Sequence, residues 1–328
     1  MLTYIIKRVL LLIPLIILIS IVVFVIINLP PGDFLTSYIN NLRTQGLHVT
    51  EEMIRAYEVR YGLGYPVHVQ YMRWFSAILQ GDLGYSFVWN RSVNALVADR
   101  LGNTIFLAVS SIVLIWIVSF PLGFYSATKP YTIPDYTFTS ISFFGMSVPE
   151  FLLAIVLMWM TFRFSGNMII GMYAAQFTGQ PMSWDKLVSM AQHMWLPYLV
   201  IIITGTAWSF KTFRANLMDE LNMPYVKAAR ARGVPPTKLL VKYPVRIALI
   251  PFISTLGWLL PWQISGQTLL AIVMDLPTLA PLLLGALRTQ DMFLAGSILF
   301  IICIMTVIGT LVSDILLALL DPRVRSSL

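Results

Sequence analysis

Two carboxylates stand inside long apolar runs: Glu150 in Phe138–Phe162 and Asp314 in Phe293–Leu320. An ionised carboxylate in a bilayer core costs roughly 2.5–3.5 kcal/mol on insertion scales, so each must face a cavity or a partner rather than lipid. Glu150 is near the middle of its run, about 18 Å from either end at the helical rise per residue. It reads either as a pore-lining contact or as a residue paired within a helical bundle. Asp314, nearer the end of its run, reads as a structural hydrogen bond. Buried acids also build proton relays, but neither of these has a His or Lys close by in sequence. His48, His68 and His193 are scattered, and the single cysteine, Cys303, lies in an apolar segment as a small buried hydrophobe would. Metal sites and disulfides are therefore not expected. No Ser/His/Asp or Cys/His arrangement is evident, and no catalytic residue is expected. A Gly-x-x-x-x-Gly-Lys-Ser/Thr loop is absent, and no Gly-Lys pair occurs anywhere, so the chain lacks that device for cradling ATP.

The other chemically informative stretch is Tyr225–Pro251, YVKAARARGVPPTKLLVKYPVRIALIP, a basic segment between two apolar runs. Lys227–Arg232 is good helix sequence, Gly233 permits the positive φ that ends a helix, and Pro235-Pro236 can open the next one. Helix, sharp turn and helix make a compact knob. Small Ala228 and Ala229 let it approach another surface closely, while Arg230, Arg232 and Lys238 can meet carboxylates there. A solvated basic loop that merely obeys the positive-inside rule would not need the Ala-Ala-x-x-x-Gly spacing of Ala228, Ala229 and Gly233.

The elements that position these residues are membrane helices. Hydrophobic residues make up 58% of the chain and charged ones 11%, and the mean hydropathy is +0.78, far above that of a soluble domain. Six apolar runs approach or exceed the roughly 20 residues that span a bilayer core: Val9–Leu29, Thr104–Ala127, Phe138–Phe162, Met194–Phe210, Ile247–Val273 and Phe293–Leu320. The first is too long for a signal-peptide core and has no small-residue cleavage site after it, so it reads as a retained helix. Pro121, Pro149, Pro251 and Pro261 fall inside these runs, where neighbouring helices can satisfy the freed carbonyls.

Six spans put both termini on one side, with segments 1–8, 128–137, 211–246 and 321–328. These hold 13 of the 22 Lys and Arg, although they are half as long together as the segments on the other side. Positive charge marks the cytoplasmic face, which places loop 211–246 and both termini in the cytoplasm. The net charge of +7 is concentrated there, and it reads as topology and contact with anionic membrane lipid, not nucleic acid. Segment 30–103, between the first and second spans, is too long for a simple connection and should fold. Thr50 with Glu51 and Glu52 reads as a helix start that Gly62 ends. Pro66 opens a second helix towards Leu79, and Gly81-Asp-Leu-Gly84 turns into a short helix near Ser92–Arg100.

Tyr225-Val-Lys-Ala-Ala-Arg-Ala-Arg-Gly233 resembles the coupling loop of bacterial ABC importer permeases, in the form found in the oligopeptide/dipeptide type. The likeness continues through Ile5-Ile-Lys-Arg8, Pro31-Gly-Asp33, Tyr61-Gly-Leu63, Gly81-Asp-Leu-Gly-Tyr-Ser86, Arg100-x-x-Asn-Thr104 and Leu320-Asp-Pro-Arg323, essentially the whole chain. Here Lys227 stands where Glu is frequent in the wider family, Tyr243 where His is common, and Glu150 where the pattern reads Ser. The resemblance implies an all-α membrane protein with six transmembrane helices and the type I ABC importer permease fold. It implies an N-terminal helix over 1–29, an extracytoplasmic insertion over 30–103, and a core of five helices over 104–328.

It further implies a bacterial or archaeal inner-membrane pore subunit of the peptide, nickel or oligosaccharide importer group, not an enzyme, with no cofactor of its own. Its partners would be a homologous second permease, two cytoplasmic ATPases that supply ATP and Mg, and an extracytoplasmic substrate-binding protein. Tyr225, Lys227, Ala228, Ala229, Arg230, Arg232 and Gly233 would couple to the ATPases. Glu150, Trp258, Trp262, Gln263 and Gln267 are the candidate pore-lining residues. Peptides are the first substrate class implied. Ala271 in place of a frequent acid, Pro277-Thr-Leu-Ala280 in place of a Pro-Gly-Leu-Gly turn, and Trp258 and Trp262 as stacking platforms point towards oligosaccharides instead. An ion-coupled secondary carrier and a membrane scaffold are the readings from other classes. Carriers usually carry internal repeats, and no repeat between the halves is evident.

Overall fold

Helix accounts for nearly all of the regular structure in the computed structural model, which describes residues 2–29, 50, 65–86, 88–256, 259 and 262–320. Numbered in chain order, the helices begin with α1 (Leu2–Asn28), α2 (Val67–Leu79), α3 (Val93–Thr128), α4 (Ile133–Ser147), α5 (Glu150–Ser165) and α6 (Trp184–Leu221). They continue with α7 (Pro224–Ala231), α8 (Pro236–Lys242), α9 (Pro244–Ser254), α10 (Thr268–Val273), α11 (Leu279–Arg288) and α12 (Met292–Leu320). One antiparallel strand pair, β1 (Tyr85–Ser86) with β2 (Arg91–Ser92), leads into α3.

Four helices among the described residues are long and apolar enough to cross a membrane: Ile5–Asn28 of α1, all of α3, all of α6, and Met292–Leu319 of α12. The expected short helix near Ser92–Arg100 and the span after it are one 36-residue helix, α3. The expected span Met194–Phe210 is the middle of the 38-residue α6, about 57 Å long at the helical rise per residue. Its last eleven residues therefore turn the start of the expected loop 211–246 into helix.

The expected span Phe138–Phe162 is not one helix. It divides into α4 and α5, whose axes bend by 100°. Val148 is extended, at φ −95 and ψ 125, as a residue before proline prefers. Pro149 has no amide with which to continue the ladder. Glu150 is therefore not a mid-helix residue but the first residue of α5, at the corner. The expected span Ile247–Val273 is also interrupted: α9 ends at Ser254, and a π-helical turn, Trp262–Gly266, precedes the short α10. The expected helix over Thr50–Gly62 lies outside the described residues. The one opened by Pro66 is α2, with the proline at its N-cap.

The described residues form two compact units. The first comprises Met1–Ile6, Thr104–Pro277 and Met305–Leu328. Its main core joins Leu107 and Ile115 of α3, Ala154 and Met158 of α5, Leu196, Val200 and Ile201 of α6, and Leu270 and Ala271 of α10. A second cluster stacks Phe213 and Leu217 of α6 on Ala248 and Phe252 of α9 and Ala127 of α3. Ser313 of α12 donates to the Ile253 carbonyl at 3.1 Å, satisfying a group near the end of α9. The other unit comprises Lys7–Asn103 and Thr278–Ile304. There Trp74 of α2 packs on Val23, Phe24 and Ile27 of α1 and on Phe300 of α12. Val93, Leu96 and Val97 of α3 pack on Leu279, Leu282 and Ala286 of α11 and on Ile298 of α12.

Helices α4 and α6 cross in backbone contact. A Cβ placed on Gly145 would stand 2.1 Å from the Ile203 carbonyl oxygen, so the two backbones touch, the close approach that small residues allow between membrane helices. Gly102 in α3 has nothing within 4 Å of that position. Gly145→Ala should destabilise the fold by about 1–3 kcal/mol through overpacking against backbone. Gly102→Ala should be neutral or stabilising by up to about 1 kcal/mol through helix propensity. Thermal unfolding of the purified variants in one detergent checks both, and equal midpoints would refute the crossing.

Candidate functional site

The basic segment builds a self-contained knob after α6. Asn222 caps α6, and its side-chain amide donates to the Met218 carbonyl at 3.0 Å. Met223 is extended, as a residue before proline prefers, and Pro224 opens α7. Gly233 then takes φ +75. Its amide donates to the Arg230 carbonyl at 3.0 Å, and the Val234 amide donates to the Ala229 carbonyl at 3.3 Å. These are the paired bonds of a Schellman ending, and they satisfy the last carbonyls of α7. Pro235 and Pro236 start α8, which stops at Lys242 before Pro244.

Val226, Ala229 and Leu239 are buried against one another, with Tyr225, Val234, Leu240 and Tyr243 packed around them. The two alanines therefore have opposite tasks. Ala229 faces inward and lets α7 sit on α8. Ala228 is exposed, together with Lys227, Arg230, Arg232, Gly233 and Lys238. The outer face thus sets small residues, Ala228 with Ala231 and Gly233, among cations. Tyr225 donates its hydroxyl to the Glu220 carboxylate and so fastens the knob to the end of α6. Burial and that carboxylate both push the phenol above its ordinary pKa, which keeps it a proton donor.

The candidate pore residues are placed less uniformly. Glu150 is half-buried at the α4–α5 corner, and no hydrogen bond or ion pair holds its carboxylate among the described residues. Gln263 and Gln267 are each 5% exposed, and the Gln267 amide donates to the Gln263 side-chain oxygen, leaving the Gln267 oxygen buried without a partner. Trp262 is 61% exposed, and its ring lies over Gly266, where a Cβ would meet it at 3.0 Å. Trp258 lies outside the described residues. Ala271 is buried in the main core of the first unit. Among the described residues, no group of three or more His, Cys, Asp and Glu is placed to hold a metal ion.

Sequence reasoning missed a polar tie between α4 and α6. Arg214 meets Asp135 with two parallel bonds, Nε to Oδ1 and Nη2 to Oδ2, both 2.7 Å. Asp135 is 2% exposed and also accepts from the Tyr131 amide at 2.9 Å. The available signal was an acid just inside a Pro-opened helix start. Nothing local identified its partner, 79 residues away.

The Gly81–Ser86 stretch has a structural explanation. Asp82 accepts from the Gly84 amide at 2.9 Å, and Asn94 accepts from the Leu83 amide at 3.0 Å. Ser86 donates to the Asp291 carboxylate, which also caps α12 by accepting from the Leu294 amide at 3.2 Å. Ser297 donates to the Leu83 carbonyl at 3.1 Å. The turn is thereby sewn to the start of α12.

Comparison with known proteins bears on the same residues. Residues 119–326 match the family described as binding-protein-dependent transport system inner membrane component, and residues 1–108 match the N-terminal membrane component of the same systems. The chain is 31% identical to the oligopeptide transport system permease protein AppB of Bacillus subtilis, over 99% of this chain and 100% of that one. It is 28% identical to the glutathione transport system permease protein GsiC of Salmonella paratyphi A, over 99% of each.

Burial pushes the Asp291 carboxyl above the usual carboxylate range, against the opposing bonds from Ser86 and Leu294. The folded state thus holds this proton more tightly than the unfolded state does. Its contribution to stability is complete below the ordinary carboxylate pKa, about 4, and is lost as pH rises through the raised value. Asp291→Asn should flatten the pH dependence of the melting temperature above about pH 4, the ordinary carboxylate value, and an unchanged slope would refute the assignment.

Proposed function

The chain belongs to the family of binding-protein-dependent transport system inner membrane components, and from that premise we propose that it is the pore subunit of an ATP-driven importer of peptides. The observation that carries the coupling part of this reading is the knob. It has its own small core, a fully bonded turn, and an outer face of Ala228 among Lys227, Arg230, Arg232 and Lys238. Such a face suits a groove lined with carboxylates, and the absence of a phosphate loop from the sequence requires ATP hydrolysis, with its Mg, to come from partner ATPases. Tyr225 and Gly233 aim the knob, Ala229 holds it together, and Ala228 with the cations makes the contact.

In this reading α1, α3, the α4–α5 pair, α6, the α9–α10 pieces and α12 make six crossings. Basic residues keep the knob and both termini cytoplasmic. The insertion that includes α2 and the β1–β2 turn lies outside, where a substrate-binding protein arrives. A homologous permease completes the pore. Glu150 at the corner and Trp262 near the broken crossing line the path, with Gln263 and Gln267 stiffening that break. Peptides are favoured as substrate because the similar AppB and GsiC proteins are named for oligopeptide and glutathione transport.

The knob is tested in the reconstituted transporter. Ala228→Glu and Gly233→Val should each reduce ligand-stimulated ATPase activity by about tenfold. The first places a bulkier side chain and a negative charge on the contact face. The second forces a β-branched residue into a left-handed position, which costs at least about 1–2 kcal/mol. Full stimulation in both would sink the coupling reading.

Cysteines placed at Arg73 and at Trp89, both exposed, should crosslink to the binding protein during turnover. If neither does while coupling is intact, the outer element is only a brace for α1. Calorimetry of the cognate binding protein should show peptide binding. Heat from β-linked oligosaccharides with none from any peptide would replace the substrate assignment.

A further inference from the structure

The Asp135–Arg214 pair makes α4 and α6 a single lever that carries the knob's displacement to the corner at Val148–Pro149, we infer; this rests on the coupling role proposed above. Three ties join the two helices. Near the start of α4, Asp135 and Arg214 share two 2.7 Å bonds. Near its end, Gly145 lies against the Ile203 backbone, with no space for even a methyl group. Between them, Lys211 of α6 reaches α4, its ammonium 3.2 Å from the Phe143 ring centroid and 3.6 Å from the Met146 sulfur. The end ties are about 15 Å apart along α4 at the helical rise per residue, which removes pivoting of one helix about the other.

One end of this assembly leads to the knob and the other to the corner. Past Arg214, α6 runs on without a break for about 10 Å to the residues that carry the knob, and Tyr225 is fastened back to Glu220. Past Gly145, α4 stops at Val148, and α5 leaves at 100° with Glu150 as its first residue. A push on the knob therefore moves α6 and α4 together, and the first place able to flex is the corner.

The pair itself is poorly explained as a source of stability. A buried ion pair is often replaceable by well-packed apolar residues without loss, while removal of one member leaves an uncompensated charge. Two parallel bonds between a planar guanidinium and a carboxylate fix direction and register as well as distance. That is the property a lever needs and a packing contact lacks. Asp135 and Arg214 are thus positioning residues for transport.

The experiment uses the whole transporter in liposomes, with basal ATPase, ligand-stimulated ATPase and ligand uptake per ATP measured together. Asp135→Asn and Arg214→Gln should lower stimulation and uptake per ATP by at least about fivefold, the low end of site-to-site coupling, while basal turnover persists. The reversal Asp135→Arg with Arg214→Asp should recover much of the loss. The double variant Asp135→Leu with Arg214→Met removes both charges, so it should assemble with normal thermal stability yet remain uncoupled. Normal stimulation and uptake per ATP in that assembled double variant would overturn the inference. So would a charge reversal no better than the single variants. Ala228→Glu runs alongside as a control. If it abolishes stimulation while the pair variants do not, the lever fails and the knob stands. If Ala228→Glu also leaves stimulation intact, the coupling reading itself fails.

Discussion

The hydrocarbon core of a bilayer offers no water to an unpaired amide or carbonyl, so a chain that crosses it must be helical wherever it faces lipid. Most of this protein obeys that constraint with long uninterrupted helices. Among the described residues, it departs from this at the α4–α5 corner and before α10. The α4–α5 corner is enforced by Pro149. The interruption before α10 is stabilised in part by the Gln263–Gln267 bond. Near the end of α9, the Ile253 carbonyl is served by Ser313.

Charge is used in three different ways. The knob keeps its cations in solvent, where they steer and discriminate but hold little in place. The Asp135–Arg214 pair is withdrawn from solvent, with every carboxylate bond directional. Asp291 is as deeply buried as Asp135, 1% against 2% exposed, and is supplied with donors by Ser86 and the α12 amide. The same charged residue classes thus make an exposed cationic face, an interhelical tie and a helix cap according to the partners each one finds.

Turn chemistry was the most legible part of the chain. Gly233 and the flanking prolines specify the knob locally, so its two helices and the glycine between them follow from the residues alone. The inward side of α7 was also readable in principle from the spacing of Val226 and Ala229, although the two alanines look equivalent on a line. Hydropathy was a poorer guide to continuity. A window averaged across Pro149 stays apolar on both sides, which hides a sharp corner inside one run. The apolar window of α6 closes near Phe210, yet Lys211, Arg214, Asp219 and Glu220 are all compatible with helix, so the element runs on. Pairings between distant residues, such as Asp135 with Arg214 and Ser86 with Asp291, depend on which helices become neighbours, and no local pattern encodes that. The family resemblance was legible across the whole length because its motifs are spread from the first helix to the last.

The separation between the knob's small core and its outer face has an evolutionary consequence. Val226, Ala229, Leu239 and the glycine turn hold the shape without help from the exposed side chains. Substitutions at positions 227, 228, 230, 232 and 238 are therefore free to accumulate without endangering the fold. If the knob meets a motor subunit as proposed, duplicated copies diverge in partner choice by redrawing a handful of surface letters while the scaffold beneath stays interchangeable.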